Sequence, residues 1–187
     1  MKEIEILIEV KSSKEEAMKA LKGFQFEGIK KTLDIYFYDP LRTDLQASSE
    51  GRLNACFRIR QKDGKNTIAY KIDHFEGEEW SHSDEYETEF KDFETTMHIV
   101  DKLGLKELVR IANEKHTYMT DEYEIVLEDV KDLGLFMEIE KLKEVPDDKV
   151  SETKEQIRQF LKGLAIEFVQ EQNAGKPELM MRKLGYN

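Results

Sequence analysis

Carboxylates recur at every second residue in EIEIL, residues 3–7, which places Glu3 and Glu5 together. They recur again in FMEIEK, where Glu138 and Glu140 alternate with Met137 and Ile139. Two-residue spacing puts both members of a pair on one face of an extended strand, about 6.5–7 Å apart. Glu85, Glu87 and Glu89 repeat the pattern in DEYETEF. Two segments repeat it with the opposite sign: FRIRQK sets Arg58, Arg60 and Lys62 on one face against Phe57, Ile59 and Gln61, and YKI adds Lys71. Like charges this close do not share a dry surface without counterions. Carboxylate oxygens suit a hard divalent cation. Arginine and lysine suit an anion carrying several negative charges.

Such faces require strands. The first runs over residues 3–11, with Ile4, Ile6, Ile8 and Val10 on one side and Glu3, Glu5, Leu7 and Glu9 on the other. Extended segments are predicted at about 34–38, 55–62, 66–73, 84–90, 108–119, 122–130 and 134–142, with Asp63 and Gly64 as a hairpin turn between the third and fourth strands. Ser12 or Ser13 caps a helix that runs to about Lys22 and stops at Gly23, and Asp92 starts another that stops at Gly104. Two more helices are expected at 151–161 and around 177–184. Residues 39–54 read as a loop, either plainly exposed or a lid over a site. Eight strands with few helices make an antiparallel α+β protein. Two arrangements then satisfy the charges: a half-open sheet with its polar faces in water, or a closed barrel with a charged, wet lumen and its apolar faces covered by helices.

Composition narrows the partners. The chain has 187 residues, of which 39% are hydrophobic and 37% charged, and no linker separates independent domains, so one domain spanning 1–187 is expected. A net charge of −11 argues against general binding to nucleic acid or an anionic membrane. Cys56 is the sole cysteine, which excludes an internal disulfide or a cysteine-built zinc site. With no targeting pattern and no segment near the ~20 apolar residues of a membrane span, a cytoplasmic protein is expected.

Taken in order, EIEI at 3–6, FRIR at 57–60, YKI at 70–72, EYETEF at 85–90 and GLFMEIE at 134–140 resemble the signature of the CYTH superfamily, the triphosphate tunnel metalloenzymes. The resemblance runs from about residue 2 to 142. It implies a closed eight-stranded antiparallel β-barrel with helices packed outside, followed by a C-terminal helical extension over 143–187. The family includes class IV adenylyl cyclases, thiamine triphosphatases and inorganic triphosphatases. The resemblance thus implies an enzyme using Mg2+ or Mn2+ on a triphosphate-containing small molecule. Hydrolysis is the first expectation, with formation of cyclic AMP from ATP, or binding without turnover, as alternatives. Monomer and homodimer stay open.

By the same matching, Glu3, Glu5, Glu138 and Glu140 hold metal, and Glu128 in LEDV joins them where the family usually has Asp. Arg58, Arg60 and Lys71 grip the triphosphate and, with Glu3 and Glu5, form the catalytic set. Lys115 takes the place of a frequent Arg, Glu87 and Glu89 orient the bases or assist with a metal, and Tyr118 in KHTY matches a family aromatic. Three departures stand out. The lysine that ends the family's first motif falls on Leu7, Lys11 recovers it only in a shifted register, and Asn113 occupies another position that is often Lys. Lys62 and Glu85 read as cross-strand pairs. Trp80 and Tyr86 read as packing residues, and His74, His82, His98 and His116 as scattered residues without metal-ligand spacing.

Overall fold

The alternation of the first strand separates two environments in the computed structural model, which describes residues 2–186. β1 (Lys2–Glu3) and β2 (Glu5–Val10) are one extended run interrupted at Ile4. Ile4, Ile6, Ile8 and Val10 enter a core with Leu21 of α1 (Lys14–Leu21) and Ile157 and Leu161 of α3 (Val150–Lys162). The α1 helix starts where expected because Ser13 and Glu16 form a reciprocal capping box.

The remaining strands are β3 (Gln25–Tyr38), β4 (Ala55–Lys62), β5 (Lys65–Glu76), β6 (Glu79–Phe90), β7 (Lys106–Met119), β8 (Tyr123–Val130), β9 (Gly134–Lys141) and β10 (Phe168–Glu171). Asp63 and Gly64 both have positive φ, 50° and 77°, the condition for a tight hairpin turn that follows the twist of β4 and β5. Between β6 and β7, α2 (Phe93–Lys102) is capped by Asp92 and covers Ile35, Ile59 and Phe57 with Val100, Phe93 and Met97. These helices lie outside the sheet. The last helix, α4 (Lys176–Leu184), packs on the other face, where Met180 and Met181 meet Leu7, Tyr36, Ile111 and Phe136.

The closed eight-stranded barrel is corrected. Ten strands form one antiparallel sheet with the linear order β1-β6-β5-β4-β3-β7-β8-β9-β2-β10. Closure fails for a local reason. Among the described residues only Lys2 and Glu3 of the first run pair with β6, and beyond Ile4 the chain pairs with β9, while the second edge of β2 is taken by β10 at Ile8 and Val10. The sheet still curls, since Lys71 of β5 reaches Glu5 of β2 at 2.9 Å although five strands separate them in the order. A bulge at Gly28, φ 127°, lets β3 continue well before the predicted segment at 34–38. The C-terminal extension is not wholly helical, because β10 joins the sheet. Residues 39–54 are pinned: Leu45 and Leu53 are buried, and the Leu53 amide donates to Glu178 at 2.8 Å.

Candidate functional site

The concave face of the curled sheet encloses a cavity of about 250 Å³, lined from β1 through β9 and by the start of α4. Pleating decides who points inward. Arg58, Arg60 and Lys62 share the inner face of β4, joined by Lys71 of β5, Lys30 of β3 and Lys115 of β7. Glu3, Glu5, Glu138 and Glu140 face them from β1, β2 and β9, with Glu124 from β8.

On the basic side, Arg60 grips Asp34 through two hydrogen bonds of 2.6 and 2.7 Å. Burial works against the Asp34 carboxylate, yet Arg60 prevails and holds it at about 2. Arg58 uses one terminal nitrogen for both Glu85, at 2.7 Å, and Glu87, at 2.8 Å, while its Nε is buried with no partner among the described residues. Lys30 and Lys62 line the cavity and, among the described residues, make no ion pair. Burial, followed by the charges of Lys30, Arg60 and Lys115, pushes the Lys62 ammonium below its ordinary value. The wall therefore carries positive charge that the protein leaves uncompensated.

The acids divide into two groups. In the first, Glu5, Glu140 and Glu124 lie in register across β2, β9 and β8, and Glu3 joins them. Lys71 bridges Glu3 and Glu5 at 3.0 and 2.9 Å. No base reaches Glu140 among the described residues, and burial plus repulsion from Glu5, Glu3 and Glu124 push its carboxyl up to about 8. Burial likewise raises Glu3 to about 7 despite Lys71. This all-oxygen set, crowded and short of positive charge, fits a hard divalent cation.

The second group is already neutralised. Glu128 is 0% exposed, receives Lys115 at 3.0 Å and Lys176 at 2.8 Å, and accepts from the Asn113 amide at 2.9 Å. Lys176 also reaches Glu138 at 2.5 Å. Burial and the neighbouring Glu138 raise Glu128 to about 7, whereas Lys176 and Lys115 overcome burial to hold Glu138 well below the carboxylate range. Glu128 does not line the cavity but supports the residues that do.

Most predicted site residues thus converge, with exceptions. Glu89 lies outside the cavity, exposed and paired with Lys65 at 3.1 Å, and Glu87 sits half-exposed at the rim. Tyr118 belongs to the outer core against Phe26, 5.1 Å between ring centroids. Lys11 is exposed, which excludes the shifted register. Leu7 is 2% exposed and packed, so its apolar character is explained by the core beneath α4. Glu85 and Lys62, set aside as cross-strand pairs, line the cavity, as does Trp80, which packs beneath Lys71 at 5.5 Å. Strand alternation alone would have recovered Glu85, Lys62 and Glu124. Lys176 follows no periodic signal.

A profile of the CYTH domain matches residues 1–171. The chain belongs to the CYTH family. A relative of this CYTH chain from Methanocaldococcus jannaschii, provisionally named an adenylate cyclase, is 32% identical over 173 residues, covering 89% of this chain and 91% of that protein. A solved structure of a Pyrococcus horikoshii OT3 protein superposes with a TM-score of 0.81 at 24% identity, covering 97% of this chain and 99% of that one. A Hippeastrum protein, described as a provisional adenylyl cyclase with a dominant triphosphatase activity, shares the fold at a TM-score of 0.66 and 19% identity, covering 99% of the CYTH chain and 96% of its own. No helix of the described residues is long and apolar enough to cross a membrane.

Proposed function

We propose that this CYTH protein is a divalent-metal-dependent phosphohydrolase acting on a triphosphate held in the cavity. One observation carries the reading: among the described residues, cations and carboxylates without ion-pair partners occupy different walls of the same cavity. Acids would repel a polyanion unless a cation lay between them, and bases would repel the cation unless an anion lay between them. A metal–triphosphate complex satisfies both walls.

Glu3, Glu5, Glu140 and Glu124 would hold Mg2+ or Mn2+, which supplies charge neutralisation on phosphate oxygens and a water of lowered pKa when bound. Arg58 and Arg60 retain donors on their terminal nitrogens not used by their acidic partners, and these bind equatorial phosphate oxygens. Lys30, Lys62 and Lys115 extend the positive wall along the chain of phosphates. Lys71 keeps Glu3 and Glu5 together on the opposite side. Such positioning and neutralisation account for most of phosphoryl-transfer catalysis.

The cavity volume suits a compact anionic group. At about 250 Å³ the cavity is smaller than the ~300–1,000 Å³ common for drug-sized ligands, which suits a triphosphate group better than an enclosed nucleotide. The name of the Methanocaldococcus relative favours a second reading, cyclisation of ATP with release of pyrophosphate. The test is to incubate pure protein with Mg2+ or Mn2+ and tripolyphosphate, ATP or thiamine triphosphate, and identify the products. Orthophosphate supports the hydrolase, and cyclic AMP with pyrophosphate replaces it with the cyclase. Binding without product reduces the chain to a triphosphate-binding module.

A further inference from the structure

His74 and His82 are eight residues apart in the sequence, a spacing that suggests no shared ligand. The β5–β6 hairpin alters this by placing them directly opposite each other in the ladder. Their rings stack, with centroids 4.5 Å apart and planes 11° from parallel. Asp84, two residues beyond His82 and therefore on the same strand face, accepts a hydrogen bond from His74 Nε2 at 2.9 Å. One ligand atom from each of the three residues lies within 4.8 Å of the others.

We infer that His74, His82 and Asp84 form a binding site for a borderline transition-metal ion of the Zn2+, Co2+, Ni2+ or Cu2+ class on the outer wall of the sheet. Two imidazoles and one carboxylate are a donor set that these ions prefer over Mg2+, whereas the cavity acids offer oxygen alone. The surroundings leave the set available. Lys2, the register partner of Asp84, pairs its ammonium with Asp147, although its charge also bears on His82. Ser81 Oγ lies 3.2 Å from His82 Nδ1, which fixes that ring and leaves Nε2 for the ion. His74 and Asp84 side chains are 42% and 36% exposed, so the ion enters from solvent and keeps a position for water. Binding exchanges the proton shared by His74 and Asp84 for the ion and releases it to solvent.

The chain would then sort two cations by chemistry, a hard one inside and a borderline one outside. The test is calorimetric titration of Zn2+ into the untagged full chain at saturating Mg2+. One Zn2+ per chain is expected, with affinity falling at least ~10-fold in His74→Asn and in His82→Asn and unchanged in Glu140→Gln. Proton NMR of the unsubstituted chain gives an independent readout, because it carries only four histidines. The imidazole resonances of His74 and His82 should move with Zn2+ while those of His98 and His116 stay. Retained affinity in both histidine variants, loss in Glu140→Gln, or movement confined to His98 and His116 would overturn the site.

Discussion

Lys176 Nζ lies 2.8 Å from a Glu128 oxygen and 2.5 Å from a Glu138 oxygen, so the C-terminal helix supplies the counterion of two strands far from it in sequence. Lys176→Ala should leave the fully buried Glu128 with Lys115 as its remaining cation and destabilise the fold by about 3–5 kcal/mol. Urea unfolding reads the loss. Glu128→Gln in the same chain should recover part of it, and strict additivity of the two changes would show that they do not interact.

Metal-free protein should become less stable as pH rises. Glu3, Glu128 and Glu178 are raised to about 7 and Glu140 to about 8, each chiefly by burial. A carboxyl raised in the folded state binds protons there that the unfolded chain has already released. Stability therefore falls between the ordinary carboxylate range and about pH 8, the value of Glu140. Unfolding midpoints at several pH values with chelator present check the sign, and added Mg2+ should flatten the slope. A midpoint that climbs across this window would contradict the burial argument.

Glu5→Gln and Glu140→Gln should each lower metal-dependent turnover more than ~100-fold, a larger effect than typical losses of residues that merely support a metal ligand. Neither should unfold the chain. Glu140→Gln should stabilise the metal-free form near pH 8, because it removes repulsion from Glu5, Glu3 and Glu124. Full turnover in excess chelator would remove the metal from the mechanism.

Lys62→Ala and Arg60→Ala should separate binding from stability. Each removes a cation from the cavity wall, and a charge-assisted contact is worth ~1.5–3 kcal/mol, so tripolyphosphate affinity should fall about tenfold or more. Only Arg60→Ala strands the buried Asp34. Its melting temperature should drop sharply while that of Lys62→Ala holds. Equal melting temperatures would mean that the Asp34–Arg60 pair contributes nothing to the fold.

Leu7→Lys should not restore a missing phosphate ligand. Leu7 is packed among Tyr36, Phe136, Met180 and Met181, and an ammonium placed there disrupts that packing beside Glu138, whose charge Lys176 already satisfies. A lower melting temperature with no gain in tripolyphosphate affinity is expected from a thermal-shift titration. Tighter binding at unchanged stability would show that the core under α4 tolerates the charge.

Strand alternation made much of this legible, because a period of two assigns whole faces at once. It put Glu3 with Glu5, Arg58 with Arg60 and Glu138 with Glu140 before any tertiary contact was considered. It could not tell which neighbour would satisfy each charge, since register and curl decide that. Glu138 and Glu140 look equivalent in FMEIEK, yet Lys176 neutralises one and leaves the other to repel its neighbours. Lys176 itself was invisible because a lysine before a proline at a helix start carries no periodic signal. The barrel failed to close for a similarly local reason, the switch of partners at Ile4 and the arrival of β10, neither of which leaves a mark in hydropathy.

The pairing of β2 with β9 also dictates when the site can exist during synthesis. Glu5 through Glu9 are made long before their ladder partners, Phe136 through Glu140. A nascent chain therefore carries this acidic strand unpaired, its isoleucines bare, until β9 has been made, a long-range pairing of the kind that slows folding and exposes apolar surface to other chains.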